Sequence, residues 1–409
     1  MWLPQDLIEE IIDHISDDTA TLKACSLVHR ACLDRCRFHL HSSFYYDFDC
    51  GPNLPPDLYA SPFTARHVRR VHLVMIPDPP MDHRVSKRRL SVTAKRFEEH
   101  ARTTWSILSR LTNIRHLTLE RFECWRSKPH QIAKFSAVFG EIVELNIISA
   151  FFKSARDFSQ FLSLFRNLEK LQITDVFWPE SIEPQILIPW KGQILRHIAI
   201  ESWPGYDPYV IRDISKWFSQ IPPKTLRNLE LTWGSGREGL EVFPELMSIC
   251  GANLKHLRLQ IGFGREVYFM ALTGLEFLSQ LESLTFLSLC HEEKTQFCNG
   301  DYSYVSIFLD SLHSENLSSI TFQCVPPVRD EGDLSKSLDL SAIDSALSDP
   351  SFVTLKKIKF IVHLSTKIYK EEVERCLRNG LPMSYETGKV AVSFEDFKPI
   401  PDHMKSMWW

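Results

Sequence analysis

Apolar and polar positions separate with helical spacing from the first residues of the chain. In "LPQDLIEEIIDHI", Leu7, Ile8, Ile11, Ile12 and Ile15 fall on one face, while Gln5, Glu9, Glu10 and Asp13 take the other, which predicts an amphipathic helix. Pro4 suits its first turn, where a missing N–H costs nothing, and acidic residues there favour the positive end of the helix dipole. "SDDT" offers caps for a second helix carrying Leu22, Ala24, Cys25, Leu27, Val28 and Ala31, a pattern that ends near "CRFHLHSSF". The Pro-rich stretch "GPNLPPDLYASP" then reads as a linker.

Beyond the linker the pattern becomes apolar-x-x-apolar-x-apolar and recurs: "VRRVHL" at 68, "IRHLTL" at 114, "IVELNI" at 142, "LEKLQI" at 168, "LRHIAI" at 195, "LRNLEL" at 226, "LKHLRL" at 254, "LTFLSL" at 284, "LSSITF" at 317 and "LKKIKF" at 355. The final apolar positions from Leu119 onward (119, 147, 173, 200, 231, 259, 289, 322, 360) give a drifting period of roughly 28 residues. Helix-like stretches such as "SARDFSQFLSLFRN" and "DPYVIRDISKWFSQI" lie between the units. A short strand and a helix repeating at this period stack as a solenoid whose strands form a parallel sheet. At the end, "IYKEEVERCLRNG" predicts a helix stopped by Gly380, and "GKVAVSF" a strand, which together would cap the last repeat.

Two family resemblances follow from these residues. The repeats resemble leucine-rich repeats over about residues 66–365, which implies an α/β fold, an irregular solenoid with a parallel β arc and outer helices. The departure is systematic: where that family places Asn or Cys three residues past the strand, this chain has Phe122, Ala150, Val176, Trp203, Gly234, Gly262, Glu292, Val325 and His363. The turn must then satisfy its backbone groups in another way. The N-terminal helices resemble an F-box of the fungal type, with Leu3 and Pro4 matching its opening Leu-Pro. Leu7, Ile8, Ile11, Ile12 and Ile15 match the first helix of that family, and Leu22, Cys25, Leu27 and Val28 its second; Cys32 stands where the family usually has Trp. That resemblance implies docking of these residues on the SKP adaptor of a cullin–RING (SCF-type) ubiquitin ligase, with the repeat arc binding a protein target. A helical unit of about forty residues seldom buries enough surface to fold alone, so it either docks on a partner or caps the repeats. The expected organisation is a small all-α module at 1–45, a linker at 46–65, the solenoid at 66–365 and a C-terminal cap at 366–409.

Composition narrows the chemistry. A net charge of −4 supplies no global field for nucleic acid or an acidic membrane. The start carries Asp6, Glu9, Glu10 and Asp13 in place of a signal peptide's basic and apolar regions, and no apolar run is long enough to span a bilayer, so a cytoplasmic or nuclear protein is expected. Ten scattered cysteines without a CxxC pair fit reduced thiols. Cys25, His29, Cys32 and Cys36 sit at near-helical spacing, but a cysteine-rich core helix explains them better than zinc. There is no GxSxG, Walker GxxxxGK or HExxH, so neither a catalytic residue nor a cofactor is expected.

Recognition features are better represented. Aromatic residues follow successive strands, among them Trp125, Trp178, Trp203, Trp233 and Phe263, and would either line one rim for a partner or fill the turn space left by the missing Asn. Positions flanking the inner apolar residue of each strand should face the concave side, including His116, His197, His256 and Arg258. This face is polar and of both signs, which suits protein or peptide recognition better than a phosphate backbone. The first repeat interval carries a basic insertion at about 77–100 whose "RRLS" resembles a basophilic kinase site at Ser91.

Overall fold

In the computed structural model the described residues are 3–47, 51–52, 61–75, 104–122, 135–178, 194–202, 213–214, 216–218, 225–233, 237–261, 275–288, 304–324, 338–364 and 370–396. The chain divides into two compact units, Met1–Leu195 and Arg196–Trp409. The basic insertion, Ser91, Trp125, Trp203 and Phe263 lie outside the described residues.

The first unit begins with three helices where the pattern predicts two: α1 (Gln5–His14), α2 (Thr19–Val28) and α3 (Arg30–His41). The expected second helix is cut at His29, which is extended (φ −153°, ψ 144°) and whose Nδ1 accepts from the Ala31 N–H at 3.1 Å. That side chain satisfies one of the free donors at the start of α3. Asp18 caps α2 through the Ala20 and Thr21 N–H groups, each at 3.0 Å. Pro4 is the N-cap of α1 and does not lie inside its first turn. Ile12, Leu22 and Cys36, one from each helix, form a small core, with Ile8, Ile15, Cys25, Cys32 and Leu40 packed around it.

Only Ser42 separates α3 from a strand that crosses the expected boundary between an all-α module at 1–45 and a linker at 46–65 and that neither reading anticipated. This strand, β1 (Ser43–Asp47), pairs antiparallel with β2 (Gly51–Pro52) and parallel with β3 (Arg70–Val74). The ladder continues in parallel through β4 (His116–Glu120), β5 (Glu144–Ile148) and β6 (Lys170–Thr174). Behind it lie helical residues 104–108 and 135–139, then α5 (Ala155–Leu162); the short α4 (Pro62–Ala65) leads into β3.

In the second unit β7 (His197–Ser202), β8 (Asn228–Trp233) and β9 (His256–Ile261) pair in parallel. They are followed by β10 (Ser283–Ser288), β11 (Ser319–Cys324), β12 (Lys357–Leu364) and β13 (Val390–Asp396), again all parallel and in chain order. The helices are α6 (Arg237–Cys250), α7 (Tyr304–Ser311), α8 (Leu340–Leu347), α9 (Lys370–Gly380) and α10 (Pro382–Glu386). Near the C-terminal end, the buried Asp344 of α8 accepts from the Met383 and Ser384 N–H groups at 2.9 and 3.0 Å, capping α10. At Gly380 a Cβ would lie 2.6 Å from the Leu340 side chain, so close packing, and not a left-handed turn, selects glycine there.

Each unit is an α/β solenoid of leucine-rich-repeat type, and the apolar triple is what closes it. Val68, Val71 and Leu73 of the first repeat, and every equivalent triple through Leu355, Ile358 and Phe360, are buried. One repeat is set three residues earlier than its pattern suggests. Ser283 is opposite His256 and Phe286 opposite Leu259, so Leu281, Leu284 and Phe286 fill the core in place of Leu284, Leu287 and Leu289. The stack then continues from Phe286 to Phe322 and Phe360, with ring centroids 5.5 and 4.8 Å apart.

The turns after β4, β5 and β6 answer the missing Asn. Arg121, Ser149 and Asp175 take the left-handed conformation at equivalent positions (φ 53°, 50° and 51°). The next residues, Phe122, Ala150 and Val176, point inward and are buried. Their backbone groups bond from turn to turn: Phe151 N–H donates to Phe122 O at 2.7 Å, and Phe177 N–H to Ala150 O at 2.9 Å. Backbone donors do here what a side-chain ladder would do elsewhere.

Candidate functional site

The N-terminal helices present two kinds of apolar residue. Ile12 and Leu22 are buried at the centre of the module, so they hold the three helices together and are withdrawn from the adaptor-facing set, which is a correction to their expected role. Ile8, Ile15 and Cys25 are half-buried against the same core. By contrast Leu3, Leu7, Ile11, Leu27 and Val28 are 56, 46, 53, 88 and 77% exposed, and Pro4 is exposed with them. Leu7 and Ile11 are four residues apart and so share one face of α1, with Leu3 just ahead of the helix.

The polar side of the module fixes the helix positions. Asp13 of α1 accepts from both Arg35 Nε and Nη2 of α3 and lies 2.7 Å from His39 Nε2. The Arg35 hydrogen bonds, followed by the His39 contact, pull the Asp13 carboxyl from its ordinary 3.8 down to about 2. Cys25, Cys32 and Cys36 belong to the module's core while His29 serves as a cap on α3, so the four do not converge on one point. No group of three metal-ligating side chains occurs among the described residues.

The aromatic rim resolves differently from a binding surface. Trp178 is 1% exposed and packs on Phe158 with ring centroids 5.3 Å apart, which corrects its role as a target anchor. Phe122 and Phe152 are buried in the same cluster, with Phe135, Phe161 and Phe165. These rings fill the space that opens behind the turns when no polar ladder occupies it. Trp233 ends β8; its backbone alone is described.

The open face of the sheet carries the expected polar residues, joined laterally from strand to strand. In the first unit, His72 Nε2 lies 3.0 Å from Glu120, and Glu144 is shared by His116 at 2.8 Å and Lys170 at 2.9 Å. Burial alone would raise the Glu144 pKa, but bonds from Lys170 and His116 outweigh it and hold the carboxyl below its usual range. In the second unit, Glu230 is shared by His197 at 3.3 Å and Arg258 at 3.5 Å, and His256 lies 2.7 Å from the Ser283 hydroxyl. The pattern did not single out Tyr45, whose ring meets His72 edge-on at 5.0 Å; buried Phe44 and Tyr46 around exposed Tyr45 are the alternation that identifies β1.

No protein-family model matches the chain. No curated protein matches it. Among solved structures, the chain is similar to a leucine-rich-repeat (LRR) protein of Leptospira interrogans, with 12% identity over 70% of this chain and 92% of that one and a TM-score of 0.18. A superposition at that score carries no argument, and the repeat assignment rests on the strand ladder. No helix among the described residues is long and apolar enough to cross a membrane.

Proposed function

We propose that this chain is a protein-interaction scaffold of repeat type, and more specifically the substrate-recognition subunit of a cullin–RING (SCF-type) ubiquitin ligase. The N-terminal helices dock on the SKP adaptor, and the open face of the sheet holds the target near a ubiquitin-charged enzyme. The rate gain comes from raised local concentration, with no catalytic residue in this chain. One observation carries the reading. Of the ten large hydrophobic side chains exposed among the described residues, five fall between Leu3 and Val28, on a module whose own core is already filled by Ile12, Leu22 and Cys36. Clustered exposure of this kind marks a partner surface.

A second reading, a non-ligase scaffold whose helices cap the repeats, draws on the attachment of α3. It runs into β1 after one residue, and Arg69 lies over the Phe38 ring at 5.8 Å. Purified protein titrated against the SKP adaptor separates the two. Leu7→Asp with Ile11→Asp should abolish binding while leaving the melting temperature within a few degrees, since both side chains already face solvent. Absence of binding by folded wild-type protein would leave the cap reading.

A further inference from the structure

The open face is not charged uniformly, and the difference points to a ligand. In the first unit His72, His116 and Lys170 each meet a carboxylate on a neighbouring strand. From β9 to β12 the outward positions are His256, Arg258 and Gln260, then Ser283, Thr285 and Leu287, then Ser319, Thr321 and Gln323, then Lys357, Lys359 and His363 beside a buried Ile361, with no Asp or Glu among them. The flanking carboxylates are Glu230 on β8, shared by His197 and Arg258, Glu282 before β10, paired with Lys255, and Glu395 on β13, 3.9 Å from His363. Neither Lys357 nor Lys359 has an ion-pair partner among the described residues. Arg258 is held loosely: Nη1 reaches Glu230 at 3.5 Å, Nη2 reaches Gln323 at 3.4 Å, and the shielded Nε has no hydrogen-bond partner.

Register arranges these groups in rows. Arg258, Thr285, Thr321 and Lys359 lie side by side across four strands, and His256, Ser283, Ser319 and Lys357 form the row next to them. Each row has a cation or a histidine at one end, a lysine at the other and two hydroxyls between. Three strand spacings put the backbone ends of a row about 14 Å apart, the span of about four residues of extended chain. A dianionic phosphate draws its cations to one point, whereas two single carboxylates four residues apart meet both ends of a row at once.

We propose that the β9–β12 face binds an acidic peptide segment of the target protein, extended across the strands, with carboxylates at positions i and i+4. This rests on the reading that the open face is the target-binding surface and names the chemistry that surface selects. A nucleic acid would need a longer run of cations than the flanking Glu230 and Glu395 leave, on a chain of net charge −4.

The test uses full-length protein and fluorescein-labelled Ser/Gly peptides carrying two Glu four residues apart, two adjacent Glu, or two Gln. The spaced peptide should bind more tightly than the adjacent one. Arg258→Gln, Lys359→Gln and Lys357→Gln, each checked for unchanged melting, should weaken the spaced peptide by about fivefold apiece, the upper range for an exposed ion pair. Equal binding of spaced and adjacent peptides, or unchanged affinity in all three variants, overturns the proposal. So does tighter binding of an oligonucleotide that the same variants weaken. The Leu7→Asp, Ile11→Asp protein should keep the peptide preference, so loss of adaptor binding and loss of peptide binding report separately.

Discussion

Asp13 shows how one side chain can set the geometry of a docking module. Its carboxylate takes two guanidinium hydrogen bonds from Arg35 and contacts His39, tying α1 to α3 on the polar side of a core that Ile12, Leu22 and Cys36 close on the other. Because its folded pKa of about 2 lies below the ordinary 3.8, the carboxylate contributes stability above about pH 4. That contribution is lost as the pH falls through the folded value. The side chain is 41% exposed, so screening limits the effect to less than about 1 kcal/mol. Asp13→Asn should therefore lower stability near neutral pH, and the gap from wild type should close toward pH 2. Urea unfolding followed by circular dichroism across that range checks it; a gap persisting at pH 2 would mean that Asp13 acts through packing. The Asp13 pairing was not legible in the sequence, because Arg35 is one of many charges and only the crossing of α1 and α3 selects it.

At the scale of a single repeat, the decisive element is the turn. The pattern located β3 to β9, β11 and β12 through their apolar triples, since alternation at fixed period is a local property of the sequence. It also raised the question of what replaces the missing Asn. The answer needed three dimensions: a left-handed residue at Arg121, Ser149 and Asp175, followed by a buried residue whose carbonyl accepts from the next turn. Any L-residue in that conformation costs about 1–2 kcal/mol, which Arg121 already bears, and a β-branched residue is disfavoured there further. Arg121→Val should therefore lose stability in chemical unfolding, while Arg121→Gly, which tolerates the same φ, should not. Equal losses in the two variants would show that the Arg121 side chain, and not its backbone, matters. The same buried positions explain why Trp178, open between a binding rim and the turn space in the sequence, belongs to the core.

Across the whole molecule, stability should divide by neighbourhood, because each repeat of a solenoid packs on those beside it. Leu145→Ala removes a buried side chain from the middle of β5 and should cost about 2–5 kcal/mol. Amide exchange should then quicken in β4 to β6 and stay near wild type in β11 and β12; uniform loss of protection would indicate a single cooperative unit. The sequence by itself determined the repeat, its buried triples at every repeat but the one at β10, and the apolar character of the N-terminal helices, because burial at a regular period leaves a mark on every turn of chain. Tertiary structure alone decided which apolar residues of α1 and α2 close a core and which stay exposed, where the sheet begins, the three-residue shift at β10, and which charges meet. Those outcomes depend on strand register and on residues 22 to 48 positions apart, such as Arg35 with Asp13 and Glu120 with His72. No local pattern encodes a partner at that distance.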